Sequence, residues 1–177
     1  MDDIAAQLEK WVSASHASSQ MKEQFRMFLA KGQITRNNNA AIHACVFFVP
    51  IHTPSKSLFL VHHKKAKDWI PPGGHIENSE HPLQTIMRES GEELGYIPQE
   101  QDITFYDISI KTISNPYSCK VHYDFWFTIN MSQKRAFVYL KKEFFDARWF
   151  SAPQAKIITQ EPDQGAMVRK IASSLLG

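Results

Sequence analysis

The stretch from Pro71 to Tyr96, PPGGHIENSEHPLQTIMRESGEELGY, constrains this chain more than any other. Its opening Pro71-Pro72-Gly73-Gly74 run reads as a loop, because proline removes backbone donors and glycine favours no single conformation. From about Pro82 the pattern turns helical, with proline suited to the first turn, and Gly95 stops the helix after Leu94. At 100° per residue, Glu93 stands about 40° to one side of Glu89 and Glu92 about 60° to the other, so three carboxylates share one face. Leu83, Ile86, Met87 and Leu94 mark the flank that faces a core. Neighbours on such a helix are about 5–6 Å apart at Cβ. At an effective dielectric near 20, each close like-charge pair costs on the order of 3 kcal/mol, and less than about 1 kcal/mol in full water. Arg88, four residues before Glu92, is the local counter-charge.

Such crowding is cheap on a fully solvated face or around a bound cation. A solvated helix has no use for a double proline, a double glycine and another glutamate, Glu80, placed upstream. A cation does: the loop offers a backbone carbonyl near Gly74 and the helix offers carboxylates. Every candidate donor is an oxygen, which suits Mg²⁺ or Mn²⁺ and disfavours zinc. Three residues fit the helix less well. Ser90 stands on the core-facing flank, where its hydroxyl is expected to bond back to a carbonyl. Gly91 costs about 1 kcal/mol relative to alanine in mid-helix. His81 occupies the position before Pro82 where a stronger N-cap is expected.

The spacing Gly74, Glu80, Arg88-Glu89, Glu92-Glu93, Gly95 and apolar Tyr96 resembles the Nudix box. Seven identities at fixed spacing arise by chance roughly once in 10⁸ starting points, given average residue frequencies. The resemblance extends from about Asn39 to Phe150, where the flanking matches are less specific and similar to a poorly characterised subgroup. It implies an α/β class, an α/β/α sandwich around a mixed sheet, in which the box forms a loop–helix–loop metal site. It also implies hydrolysis of a nucleoside diphosphate derivative to a nucleoside monophosphate and a phosphorylated group, with Mg²⁺, or Mn²⁺, as cofactor. Carried over by position, Glu92 and Glu93 are metal ligands together with the Gly74 carbonyl, and Glu89 is a ligand or the general base. Arg88 orients the glutamates, and Glu80 supports the loop or the metal shell. Glu143 is a candidate base from outside the box. The competing readings are a nucleotide-binding or regulatory module on the same fold without hydrolysis, and the isopentenyl diphosphate isomerase branch. Neither Cys45 nor Cys119 stands in a motif that fits the isomerase.

Elsewhere, His122 and Asp124 alternate with Tyr123, Phe125 and Phe127 along a strand, which gives one polar and one apolar face. His122 and Asp124 either belong to the wet side of a sheet or meet substrate. Lys64, Lys65 and Lys67 precede Trp69, so Lys65 and Trp69 are candidates for contact with substrate; a merely solvated basic turn is the alternative. His62, His63 and His75 lack the pattern of a zinc site.

The first 36 residues read as a separate helical arm and linker, and residues 37–177 as the Nudix domain. Ile4, Leu8, Trp11 and Val12 recur at helical spacing, as do Met21, Phe25, Phe28 and Leu29. This arm either packs on the domain or pairs with a partner, a second copy included. Strands are expected at Ala41–Val49, Ser57–His62, Ile103–Ile113, His122–Met131 and Phe144–Phe150. Ser151 is expected to cap a helix with Gln154 in a capping box, and a last helix runs from about Asp163 to Leu176. Twenty Lys and Arg against 18 Asp and Glu leave a formal charge of +2, too weak an excess to coat nucleic acid or anionic membrane. The longest clean apolar run, Ala44 to Val49, does not span a bilayer. The acidic Met1-Asp2-Asp3 start is no signal peptide. Two isolated cysteines form neither a disulfide framework nor a thiolate metal site. A cytoplasmic protein is expected.

Overall fold

The computed structural model describes residues 4–113 and 119–177, so the Met1-Asp2-Asp3 start lies outside the described residues. The class is α/β, with helices flanking a mixed sheet. In chain order the elements are α1 (Ile4–Ala14), α2 (Ser19–Leu29), β1 (Ile42–His52), β2 (Ser57–His63), β3 (Asp68–Ile70), β4 (Gly73–His75), α3 (Pro82–Leu94), β5 (Ile103–Thr112), β6 (Val121–Asn130), β7 (Phe144–Ser151), α4 (Ala152–Ile158) and α5 (Pro162–Ser174). The strand order is β3-β2-β1-β6-β5, with β4 paired to β1 and β7 paired to β2. Two compact units make up the chain. One comprises Met1–Phe47, Gly74–Ile86 and Phe105–Phe127, the other Phe48–Gly73, Met87–Thr104 and Thr128–Gly177.

In the first unit, the amphipathic helices of the arm cover an aromatic strand face. Phe28 of α2 stacks on Tyr123 with ring centroids 4.0 Å apart, and Phe25 meets Tyr123 and Phe125 edge-on. Trp11 of α1 stacks on Phe105 and sets its edge against Phe127. Alternation along β6 sends Tyr123, Phe125 and Phe127 to this side, which leaves the other side to His122, Asp124 and Trp126. Ser18, between the two helices, caps α2 by accepting from the Met21 N–H.

In the second unit, β2 is paired antiparallel to β1, β3 and β7. Residues Ser57 to Val61 along it are all buried, as a strand covered on both faces requires. Asp68 of β3 accepts the backbone N–H groups of Gln160 and Glu161 ahead of α5. Ser151 and Gln154 form the expected capping box at α4.

The glycines of the Pro-Pro-Gly-Gly run are not in a loop as expected: Gly73–His75 is the short strand β4 beside β1. The prolines stay outside the ladder, since they lack a donor, but Pro72 accepts from the Phe48 N–H at 3.0 Å. Beyond them, the glycines are free to extend.

Candidate functional site

Helix α3 runs over Pro82–Leu94, as the sequence predicts. Its start is better made than the sequence suggests. The Nδ1 of His81 accepts the Leu83 N–H, and the Gln84 side chain reaches back to the His81 N–H. His81 thus acts as an N-cap in the manner of a capping box. With Nδ1 accepting, Nε2–H donates to the side-chain oxygen of Gln7 on α1. Just upstream, one Glu80 oxygen accepts from the Thr85 hydroxyl at 2.8 Å and from the Glu77 N–H at 3.2 Å, which closes the loop ahead of the helix. At the far end Gly95 has a φ of +60°. Its N–H returns to the Gly91 carbonyl, a left-handed cap that a side chain would strain.

The three glutamates share a helix face but not an environment. The Glu92 side chain is 60% exposed and that of Glu89 is 15% exposed, while Glu93 as a residue is only 5% exposed. Arg88 lies 2.8 Å from a Glu89 oxygen and 3.7 Å from one of Glu92. Glu93 accepts the Gly73 N–H at 3.1 Å. Burial first, and the Glu89 charge next, push its carboxyl well above the usual carboxylate range, against the pull of that N–H; Glu143 and Glu92 add to the upward shift. A fully solvated acidic face does not describe this helix. Its innermost carboxylate is desolvated among like charges, an arrangement that calls for a proton or a cation.

Ser90 is fully buried, and its hydroxyl finds no partner, so the expected bond back to a carbonyl does not form. The Ser90 carbonyl instead receives the Tyr96 N–H at the helix end.

Of the residues expected to meet substrate, Lys65 is exposed in the turn after β2. Trp69 is half-buried, stacked on His62 at 5.1 Å, with the Arg148 guanidinium 5.0 Å from its ring. Asp124 is buried and accepts from the Ser109 hydroxyl, which itself accepts the Trp126 indole N–H.

His122 stands in a group that the sequence did not reveal. It lies beside His43 and His75, with ring centroids 4.8 and 5.4 Å away, and Cys45 completes the cluster. Burial first, then the charges of His43, His75, Lys111 and Arg36, drive His122 down to about 3. Burial also lowers His43, although its bond to the Asn39 carbonyl opposes this. The sequence did hold a signal, since His43 and Cys45 are two apart on one strand and therefore share a face. What it did not hold was the strand order that sets His75 and His122 beside them.

A family model described as NUDIX domain matches residues 42–171. A curated relative from Lactococcus lactis subsp. cremoris, named probable DHNTP pyrophosphohydrolase, is 24% identical over 143 residues, which span 76% of this chain and 82% of the relative. Among solved structures, the dihydroneopterin triphosphate pyrophosphohydrolase of E. coli superposes with a TM-score of 0.60 at 18% identity, covering 74% of this chain and 92% of that one. The NUDIX domain of Shewanella oneidensis NrtR, solved with ADP ribose, gives 0.58 at 17% identity, covering 76% and 88%. At these identities the superpositions speak to the fold. Among the described residues, no helix is long and apolar enough to cross a membrane.

Proposed function

The chain belongs to the Nudix family of pyrophosphohydrolases, and from that premise we propose that it uses a divalent cation to cleave the diphosphate linkage of a nucleoside diphosphate derivative, leaving a nucleoside monophosphate and a phosphorylated group. The observation that carries this reading is Glu93, buried against Glu89 with its carboxyl pushed far up. A side chain kept there at such electrostatic cost fits a ligand that removes the cost. The donors of Glu89, Glu92 and Glu93 are all oxygens, which suits Mg²⁺ or Mn²⁺, and the family pattern adds the carbonyl of Gly74. A bound ion would draw charge from the phosphate oxygens and acidify the attacking water.

The chain's own groups supply the rest. Arg88 holds Glu89 by an ion pair, which fixes the carboxylate proposed to take the proton from water. Glu143 adds to the field at Glu93 and is the alternative base from outside the box. Gly73 anchors Glu93 through its N–H, while Glu80 keeps the loop ahead of α3 closed. Lys65, exposed beyond β2, is the cation of this reading that is free to approach a phosphate. Trp69 takes a supporting place, since His62 and Arg148 already engage its ring. A cytoplasmic location belongs to the same reading and agrees with two cysteines that form no disulfide.

A substrate panel of dihydroneopterin triphosphate, a dinucleoside polyphosphate and ADP-ribose, assayed with Mg²⁺, Mn²⁺ or a chelator, tests the proposal. Turnover should require the metal, and Glu89→Gln should cut kcat by at least about 100-fold while the fold survives. Chelator-resistant turnover, or near-normal turnover by both Glu89→Gln and Glu93→Gln, would refute it. Tight binding of a panel member without any cleavage would favour the regulatory alternative.

A further inference from the structure

We propose that His43, Cys45, His75 and His122 form a second metal site, one that takes a single zinc-class cation. Three adjacent strands of the first unit build it. β1 carries His43 and Cys45 on one face; β4, paired to β1, brings His75; and β6, the other neighbour of β1, brings His122. One ligand atom from each residue lies within 4.8 Å of every other. A tetrahedral ion with metal–nitrogen bonds of about 2.0–2.1 Å and a metal–sulfur bond of about 2.3 Å needs its ligands roughly 3.3–3.8 Å apart. A small inward shift of the widest pair therefore closes the site.

The surroundings prepare these atoms to be ligands. His43 is fully buried, and its Nδ1–H donates to the Asn39 carbonyl at 2.9 Å. That bond fixes the tautomer and leaves the lone pair on Nε2, the outer-shell pattern that metal-bound histidines share. The Nε2 atoms of both His43 and His122 are buried and find no hydrogen-bond partner. Buried polar atoms in folded proteins are almost always satisfied, so two such atoms on residues clustered with a third imidazole and a thiol point to a missing ligand. The rings cross at 47° to 84°, so they are not a face-to-face stack that would account for their proximity.

The donor set selects the ion. Three imidazoles and a thiolate suit zinc, whereas the all-oxygen set of α3 suits magnesium. The thiolate of Cys45 would also offset the positive charges of Arg36 and Lys111, which act on His122. Four protein ligands leave no open position, so the ion would serve structure, pinning β4 and β6 to β1.

Cobalt is the probe. Full-length chain, stripped by a chelator and titrated with Co²⁺ in excess Mg²⁺ to fill the carboxylates of α3, should bind one equivalent. The complex should show the intense visible bands of a tetrahedral ion and a near-ultraviolet thiolate-to-cobalt band, and Zn²⁺ should displace it and raise Tm. Cys45→Ser should abolish the near-ultraviolet band, and His122→Gln should weaken binding at least about tenfold. Glu92→Gln should leave the spectrum unchanged. If Cys45→Ser fails to fold, His75→Gln and His122→Gln, both at partly exposed positions, are read in the same titration. A weak octahedral spectrum would overturn the proposal, as would one indifferent to these variants. A signal lost in Glu92→Gln would assign the ion to the carboxylates of α3. None of these outcomes depends on whether the chain hydrolyses a nucleotide.

Discussion

Replacing Glu93 by glutamine should stabilise the metal-free protein while removing its response to magnesium. Glu93 is 5% exposed, and Glu89 is among the charges that raise its pKa. One helical turn separates the two carboxylates, about 6 Å, so at an effective dielectric near 20 their repulsion is on the order of 3 kcal/mol. Glutamine keeps the volume and can still accept the Gly73 N–H, but carries no charge. The sign follows from the upward shift. A carboxyl whose folded-state pKa is raised contributes fully to stability below its unfolded value near 4.5. That contribution is lost as pH rises through the folded-state value. In chelator the two proteins should therefore unfold together near pH 4.5 and diverge as pH rises. At alkaline pH the variant should be ahead by on the order of 1–3 kcal/mol, or roughly 2–4 °C in Tm per kcal/mol for a chain of this size. Mg²⁺ should raise Tm of the parent and not of the variant. Thermal unfolding followed by circular dichroism across that pH range, with chelator or Mg²⁺, measures both effects. A variant less stable than the parent in alkaline chelator, or equal Mg²⁺ stabilisation of the two, would show that the buried carboxylate does not await a cation.

Three further substitutions test packing and caps. Ser90→Ala should raise stability by about 1 kcal/mol, because the buried hydroxyl has no partner to lose; a loss of that size in urea denaturation would mean the hydroxyl is bonded. Phe25→Ala empties a fully buried position between Tyr123 and Phe125 and should cost about 3–5 kcal/mol; a cost below about 1 kcal/mol would show that α2 does not cover β6. Ser151→Ala breaks the capping box of α4 and should cost about 0.5–2 kcal/mol, whereas an unchanged denaturation midpoint would contradict it.

The long elements were legible because their hydrophobic periods are unambiguous. Helix α3 begins and ends at Pro82 and Leu94, where proline and Gly95 punctuate it, and the capping box at Ser151 was plain from two residues. The short strands β3 and β4 were not, since three residues carry no period and prolines flank the second. The carboxylate face of α3 was also readable, but a helical wheel cannot say which glutamate turns inward. The setting of Glu93 includes the Gly73 N–H that it accepts and the charge of Glu143 that raises its pKa, both far from it in sequence. The His43–Cys45–His75–His122 cluster lay beyond reach for the same reason. Its members come from three strands whose adjacency is a property of topology, so each histidine alone looked incidental.

The bond from His81 to Gln7 has a practical consequence for anyone shortening this protein. A helix that looks like a dispensable leader in fact grips the residue that starts the glutamate-bearing helix, so trimming the first dozen residues to help crystals grow would loosen that helix at its first turn. A truncated form that hydrolyses poorly would then report a loosened helix start, and its failure should not be charged to the carboxylates.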